Sequence, residues 1–220
     1  MGNDQGAMIR ERKRIRLNRY DYLQPGEYFV TICTKGRTLF LGEVVDGEMN
    51  ANSIGDTTME CWNELPAHFP NVAIDEFVVM SNHIHGIIRF MDNPVGARKS
   101  HPATKRLDNP CRDVQLNIPT DTYHSRISPK VGSLGVIART YKAAAANICR
   151  KNGIDGFKWQ SGFYEHIIRD DRSLTRIREY IANNPQRWIL DTENLNRRGK
   201  DEYERRVISG GERPSSKASQ

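Results

Sequence analysis

The chain has 220 residues, of which 37% are hydrophobic, with a mean hydropathy of −0.68; that is enough for one sizeable domain with polar appendages. A net charge of +6 and a pI of about 9.2 point to an anionic partner, nucleic acid before a membrane surface. No apolar run approaches membrane-spanning length, no signal-peptide hydrophobic region is expected at the start, and Cys33, Cys61, Cys111 and Cys149 form no Cys-x-x-Cys pair. These features set aside a membrane span, a disulfide framework and a zinc knuckle, and suit reduced thiols in a cytoplasmic protein.

Residues 8–20 carry six cations against one acid. Arg10, Arg12, Lys13, Arg14 and Arg16 form a basic arm, taken as residues 1–19, that suits a phosphate backbone. Pro25-Gly26 reads as a turn, and Tyr28 to Thr34 as a strand. A hairpin follows, Gly42 to Val45 and Glu48 to Asn50, around Asp46-Gly47. The spacing of Ile54, Met59, Trp62 and Leu65 predicts a helix from about Ser53 to Ala67, marked at its end by Pro66. Strands are expected over about Val72 to Met80 and from His83 to about Phe90.

From about 91 to 130 the chain is polar and punctuated by prolines, and reads as a flexible insertion. A helix is then expected from about Ser133 to Lys151, with Leu134, Ile137, Tyr141, Ala144, Ala145 and Ile148 on one face and Arg139 and Lys142 elsewhere. A short strand, about Tyr164 to Arg169, precedes a last helix over about Ser173 to Ala182 that stops at Asn183-Asn184-Pro185. Beyond Trp188 the composition predicts a disordered polar tail, 189–220. The order of elements suits α+β: an antiparallel, ferredoxin-like sheet with helices on one face.

The densest chemistry lies in Met80-Ser81-Asn82-His83-Ile84-His85-Gly86-Ile87-Ile88. In a strand, residues i and i+2 share a face. His83 and His85 therefore stand side by side, a half-site for a divalent metal on a rigid element. Two surface histidines on an edge strand would show the same spacing.

With these residues in view, the sequence resembles the HUH single-tyrosine transposases, in particular the branch of REP-associated tyrosine transposases. The histidine block carries the resemblance together with Trp159-Gln160-Ser161-Gly162-Phe163-Tyr164-Glu165-His166-Ile167-Ile168-Arg169, the closing Tyr180-Ile181-Ala182-Asn183-Asn184-Pro185-Gln186-Arg187-Trp188, and the opening from Tyr20 to Thr34. The match runs from about Arg14 to Trp188, within an expected catalytic domain of residues 20–188.

The resemblance implies a ferredoxin-like endonuclease and strand transferase acting on single-stranded DNA or a DNA hairpin, as a monomer or homodimer. It further implies Mg²⁺ or Mn²⁺ on His83 and His85, and a tyrosine nucleophile on the helix after the histidine strand. That position is Tyr141, with Tyr164 as the alternative, and Arg139 and Lys142 join the basic arm as DNA contacts. One departure stands out. Where the family often carries Gln or Asn one turn after the tyrosine, this chain has Ala145. A third ligand then has to come from elsewhere (Glu165, His166 or Asn82) or from water. Two further readings remain beside the enzyme: a hairpin-binding protein that no longer cleaves, and an RNA-binding ferredoxin-like module, for which the sequence lacks the adjacent-strand aromatics.

Overall fold

In the computed structural model, residues 24–91 and 132–208 are described. The basic arm, most of the insertion, Cys111 and residues 209–220 lie outside them. Four antiparallel strands form the central sheet: β1 (Gly26–Cys33), β4 (Val72–Val79), β5 (His83–Phe90) and β6 (Tyr164–Ile168), in the order β4-β5-β1-β6. A separate hairpin pairs β2 (Gly42–Val45) with β3 (Glu48–Ala51). Its turn is Asp46-Gly47, both at positive φ (53° and 80°), the conformation a two-residue type I′ loop requires.

Two helical crossovers, α1 (Ser53–Asn63) and α3 (Leu134–Lys151), pack against one face of the sheet. With β1, β4, β5 and β6 they make the β-α-β-β-α-β order of a ferredoxin-like layer. The α+β antiparallel fold is thus the one expected. The α1 segment is interrupted where one helix was predicted: α1 ends at Asn63 and a short α2 (Leu65–His68) begins with Pro66 in its first turn. Proline lacks an N–H to donate but fits a first turn, so it opens the second helix rather than closing the first. Asn52 caps α1 by accepting from the backbone N–H groups of Ile54 and Gly55 at 3.0 and 3.1 Å.

Strand alternation divides the core in two. Tyr28, Val30 and Ile32 of β1 and Ile84, Ile88 and Phe90 of β5 point to the face covered by α1 and α3. Phe29 and Ile87 point to the other face. That second face is not open, as helices on one face alone would leave it. It is covered by α4 (Asp171–Ala182), through Leu174, Ile177, Tyr180 and Ile181. The Arg178 guanidinium anchors α4 to β4 through Asp75, at 2.6 and 2.8 Å. That hydrogen bond holds the Asp75 carboxyl below its ordinary range.

Gly86 faces the α1 side. A Cβ there would meet the Trp62 ring at 2.3 Å, and that ring stacks on Phe77 with centroids 4.6 Å apart. The glycine of the His-Ile-His-Gly block therefore lets α1 sit close on the sheet.

Residues 189–208 do not behave as the disordered tail that their composition predicts. After a 3-10 segment, Pro185–Leu190, the described chain runs on to α5 (Glu202–Ile208), which packs against α4. Val207 joins the second core, and Asp191, Glu193, Asp201 and Glu204 are buried. The segment is held mainly by polar pairs: Arg187 with Asp201, Thr192 with Glu204, and Arg37 with Glu193. Apolar content, the signal used to predict order, is blind to such a fastening.

Candidate metal centre

The pairing of β1 with β5 sets Thr31 opposite His85 and Cys33 opposite His83. Both imidazoles point to the α4 face, side by side, as the strand period requires. Their Nε2 atoms are 3.0 Å apart. Cis ligands of an octahedral ion at about 2.1 Å lie about 3.0 Å from each other, so this spacing fits two ligands of one cation.

Each ring is oriented through its other nitrogen. His83 Nδ1–H donates to Asn82 Oδ1 at 2.8 Å. The amide orientation of Asn82 follows from its other end, where Nδ2 donates to the carbonyls of Arg37 and Glu193 at 3.1 and 2.9 Å. His85 Nδ1 lies 2.9 Å from the Thr31 hydroxyl. Fixing Nδ1 in this way leaves Nε2 to the metal.

A third group completes the site. Asp191 Oδ2 lies 3.8 Å from His83 Nε2 and 4.0 Å from His85 Nε2. The three ligand atoms all fall within 4.8 Å of one another. Asn184 Nδ2 donates to the same oxygen at 3.0 Å, and the Glu193 backbone N–H donates to Oδ1 at 2.6 Å. Burial pushes the Asp191 carboxyl up, but the His83 and His85 imidazoles outweigh it and hold the group well below the usual carboxylate range. An ionised carboxylate and two imidazoles converging on one point suit a divalent cation.

Tyr180, on α4, brings its hydroxyl to 3.3 Å from His85 Nε2. His83, His85, Tyr180 and Asp191 are exposed by only 0, 1, 1 and 2%. Trp188 lies over His83, with ring centroids 6.1 Å apart, and Tyr203 of α5 lies beside Tyr180 at 6.4 Å. The carboxyl-terminal segment thus closes the site.

The expected nucleophile lies elsewhere. Tyr141 sits on α3, inside the core of the opposite face, edge-on to Trp62 at 5.5 Å and tilted against Trp159 at 5.8 Å. It does occupy an apolar stripe facing the sheet, as its spacing predicts, but the sheet separates that stripe from the histidines. Tyr164, the alternative, is on the histidine face, where it packs edge-on against Phe29.

Asp191, the acid that completes the cluster, is not among the expected sources of a third ligand. Ala145 is buried in the α1–α3 core. Glu165 and His166 belong to the edge strand β6, with His166 paired to Phe29. Asn82 turns its amide oxygen to His83 Nδ1 and its amide nitrogen to two backbone carbonyls. Among the expected DNA contacts, Arg139 is exposed on α3, whereas Lys142 donates to the carbonyls of Gln160 and Gly162 and so pins a loop. Arg10, Arg12, Lys13, Arg14 and Arg16 lie outside the described residues.

Tyr180 had a signal in the sequence. It opens the closing block of the family resemblance and lies on the stripe of Leu174, Ile177 and Ile181. Asp191 had almost none, being one acid in a stretch of polar residues.

No family model matches the sequence. An uncharacterised protein of Haemophilus influenzae is 37% identical over 187 residues, covering 84% of this chain and 94% of the relative. The chain belongs to the family of that protein. Among solved structures it is similar to a REP-associated tyrosine transposase bound to a REP hairpin, with a TM-score of 0.48 and 16% identity over 79% of this chain and 74% of that one. It is also similar to a protein of Deinococcus radiodurans R1 assigned as a transposase, with a TM-score of 0.38 and 12% identity over 76% and 95%. No helix among the described residues is long and apolar enough to cross a membrane.

Proposed function

We propose that the chain is a DNA-nicking and rejoining enzyme of the single-tyrosine transposase kind, with Tyr180 as its nucleophile. The observation that carries this reading is the Tyr180 hydroxyl at 3.3 Å from His85 Nε2, beside His83 and Asp191. The sequence blocks around His83, Trp159 and Tyr180 support it independently.

The substrate is single-stranded DNA or a DNA hairpin, drawn in by the Arg10–Arg16 arm. His83, His85 and Asp191 would hold a divalent ion, Mg²⁺ or Mn²⁺, which would supply charge neutralisation at the phosphate. Asn82 and Thr31 keep the imidazoles aimed. Tyr180 Oη attacks phosphorus, forming a tyrosyl phosphodiester as the bond to one DNA oxygen breaks. That oxygen takes the proton and leaves as a hydroxyl. Attack by a DNA hydroxyl on the same phosphorus reverses the step and rejoins the strand. The ester energy is retained throughout, so no nucleotide hydrolysis is needed. Access requires the segment around Trp188 and Tyr203 to move aside.

One observation favours a second reading, a DNA-hairpin-binding protein without cleavage: the reactive groups are almost wholly buried. The test is incubation of the full chain with labelled hairpin DNA and Mn²⁺ or Mg²⁺, followed by denaturing electrophoresis and peptide mapping. We expect a covalent adduct on the peptide containing Tyr180, abolished in Tyr180→Phe and kept in Tyr141→Phe. Label on the Tyr141 peptide would overturn the choice of nucleophile. No adduct with either metal would favour the binding reading.

A further inference from the structure

The end of β1 leads from the metal centre into a second feature. Cys33 is the register partner of His83, and beyond it Thr34 bridges to Trp159 while the Lys35 backbone N–H donates to the Lys158 carbonyl at 2.8 Å. At a strand rise of about 3.3 Å per residue, Lys35 lies roughly 7 Å past Cys33. There, between the carboxyl-terminal half of α3 and the loop of residues 154–161, opens a groove of about 790 Å³.

Its lining is cationic and aromatic. Lys35, Arg150 and Lys158 stand exposed around it, against the single acid Asp155. None of the three cations is paired with a carboxylate among the described residues; Arg150 donates only to the Asn147 amide oxygen, at 2.8 Å. Between them lies Trp159, half-buried and braced edge-on by Phe157 at 5.0 Å. The loop is built in advance. Phe157 is buried against Phe40, the Gln160 backbone N–H donates to the Cys33 carbonyl at 2.8 Å, and Lys142 Nζ ties the carbonyls of Gln160 and Gly162 from α3.

We infer that this groove binds single-stranded DNA flanking the phosphate to be cut, with a base on the Trp159 ring and phosphates on Lys35, Arg150 and Lys158. A fixed aromatic platform inside a ring of exposed cations is the arrangement that holds single strands without reading their sequence. The groove lies at the same end of the sheet as His83, so a strand leaving the metal centre around the end of β1 enters it within a few nucleotides. A rigid loop adds affinity because little side-chain freedom is lost when the strand binds. The inference rests on the proposed reading of the His83–Asp191 centre for its choice of DNA, and the experiment separates the two.

The full chain is titrated with a fluorescent oligodeoxythymidylate at several salt concentrations. A second oligodeoxythymidylate, bearing iodouracil, is photocrosslinked and the peptide mapped. We expect crosslinking at Trp159. In the triple variant Lys35→Ala, Arg150→Ala, Lys158→Ala, we expect the log K versus log salt slope to flatten by about 0.7 for each phosphate no longer neutralised. These cations are exposed, so the variant should melt like the wild type. An unchanged slope, crosslinks confined to other peptides, or tighter binding of the matching oligoribonucleotide would overturn the inference. A Tyr180 adduct formed in full yield by the triple variant would overturn the groove and leave the catalytic reading standing. Crosslinking and a flattened slope without any adduct from wild type would leave the groove standing and remove the cleavage.

Discussion

Asn82 makes three hydrogen bonds with one amide: it accepts from His83 and donates to the carbonyls of Arg37 and Glu193. Partners that orient a ligand typically matter about 10–100-fold in metal affinity. Asn82→Ala should therefore weaken Mn²⁺ binding by about that factor, read by titration with electron paramagnetic resonance. It should also lower stability by about 1–3 kcal/mol, because two buried carbonyls lose their donor. Unaltered Mn²⁺ affinity would show that the imidazoles are positioned without it. At this scale the sequence is legible only where a local rule applies. His83 and His85 share a face because the strand period is two, and any strand assignment predicts it. Asp191 reaches them across more than a hundred residues, and no periodicity links it to β5. Ala145, where the resemblance suggested a polar ligand, lies with α3 on the other side of the sheet from the histidines.

Elements were more legible than residues, since each strand and crossover helix repeats its period several times. What the period could not decide was which face each helix takes. The apolar stripes of α3 and α4 look alike in sequence, yet one packs on Tyr28, Val30 and Ile32 and the other on Phe29 and Ile87. The resemblance implied Tyr141 by its place on the helix after the histidine strand, and the period could not show that this helix packs on the face away from His83 and His85. The fit of α1 to the sheet depends on Gly86, where any side chain runs into Trp62. Gly86→Ala should cost about 1–3 kcal/mol, the usual range for overpacking a core, with a lowered urea midpoint and an unchanged slope. Because Gly86 faces away from the histidines, Mn²⁺ affinity of the folded variant should stay within a few-fold of wild type. A variant as stable as the wild type would mean that α1 can retreat from the sheet at no cost.

For the whole molecule, the informative feature is that the candidate metal centre is assembled from both ends of the described chain. β1 supplies Thr31, β5 the imidazoles, α4 Tyr180, and the last segment Asp191. A protein ending at residue 188 loses Asp191, Glu193 and α5 while retaining the four-stranded sheet and its α1–α3 core. We expect its circular dichroism to remain that of a folded α+β protein and its Mn²⁺ affinity to fall by more than tenfold. Retained affinity would remove Asp191 from the ligand set.

Asp191 and Glu193 are two residues apart and grip different things. One faces the histidines; the other holds Arg37 at 2.6 Å and accepts from the Cys33 thiol at 3.5 Å, next to Lys35 at the mouth of the groove. A single short segment therefore carries both attachments, and a shift that strains one strains the other. Free energy coupled in this way is reciprocal: if cation binding alters the hold on Arg37 and thereby the affinity of the groove by some factor, occupancy of the groove alters cation affinity by that same factor. If the centre loads a cation and the groove captures a strand as proposed, the spacing of two acids would make those two events thermodynamically linked.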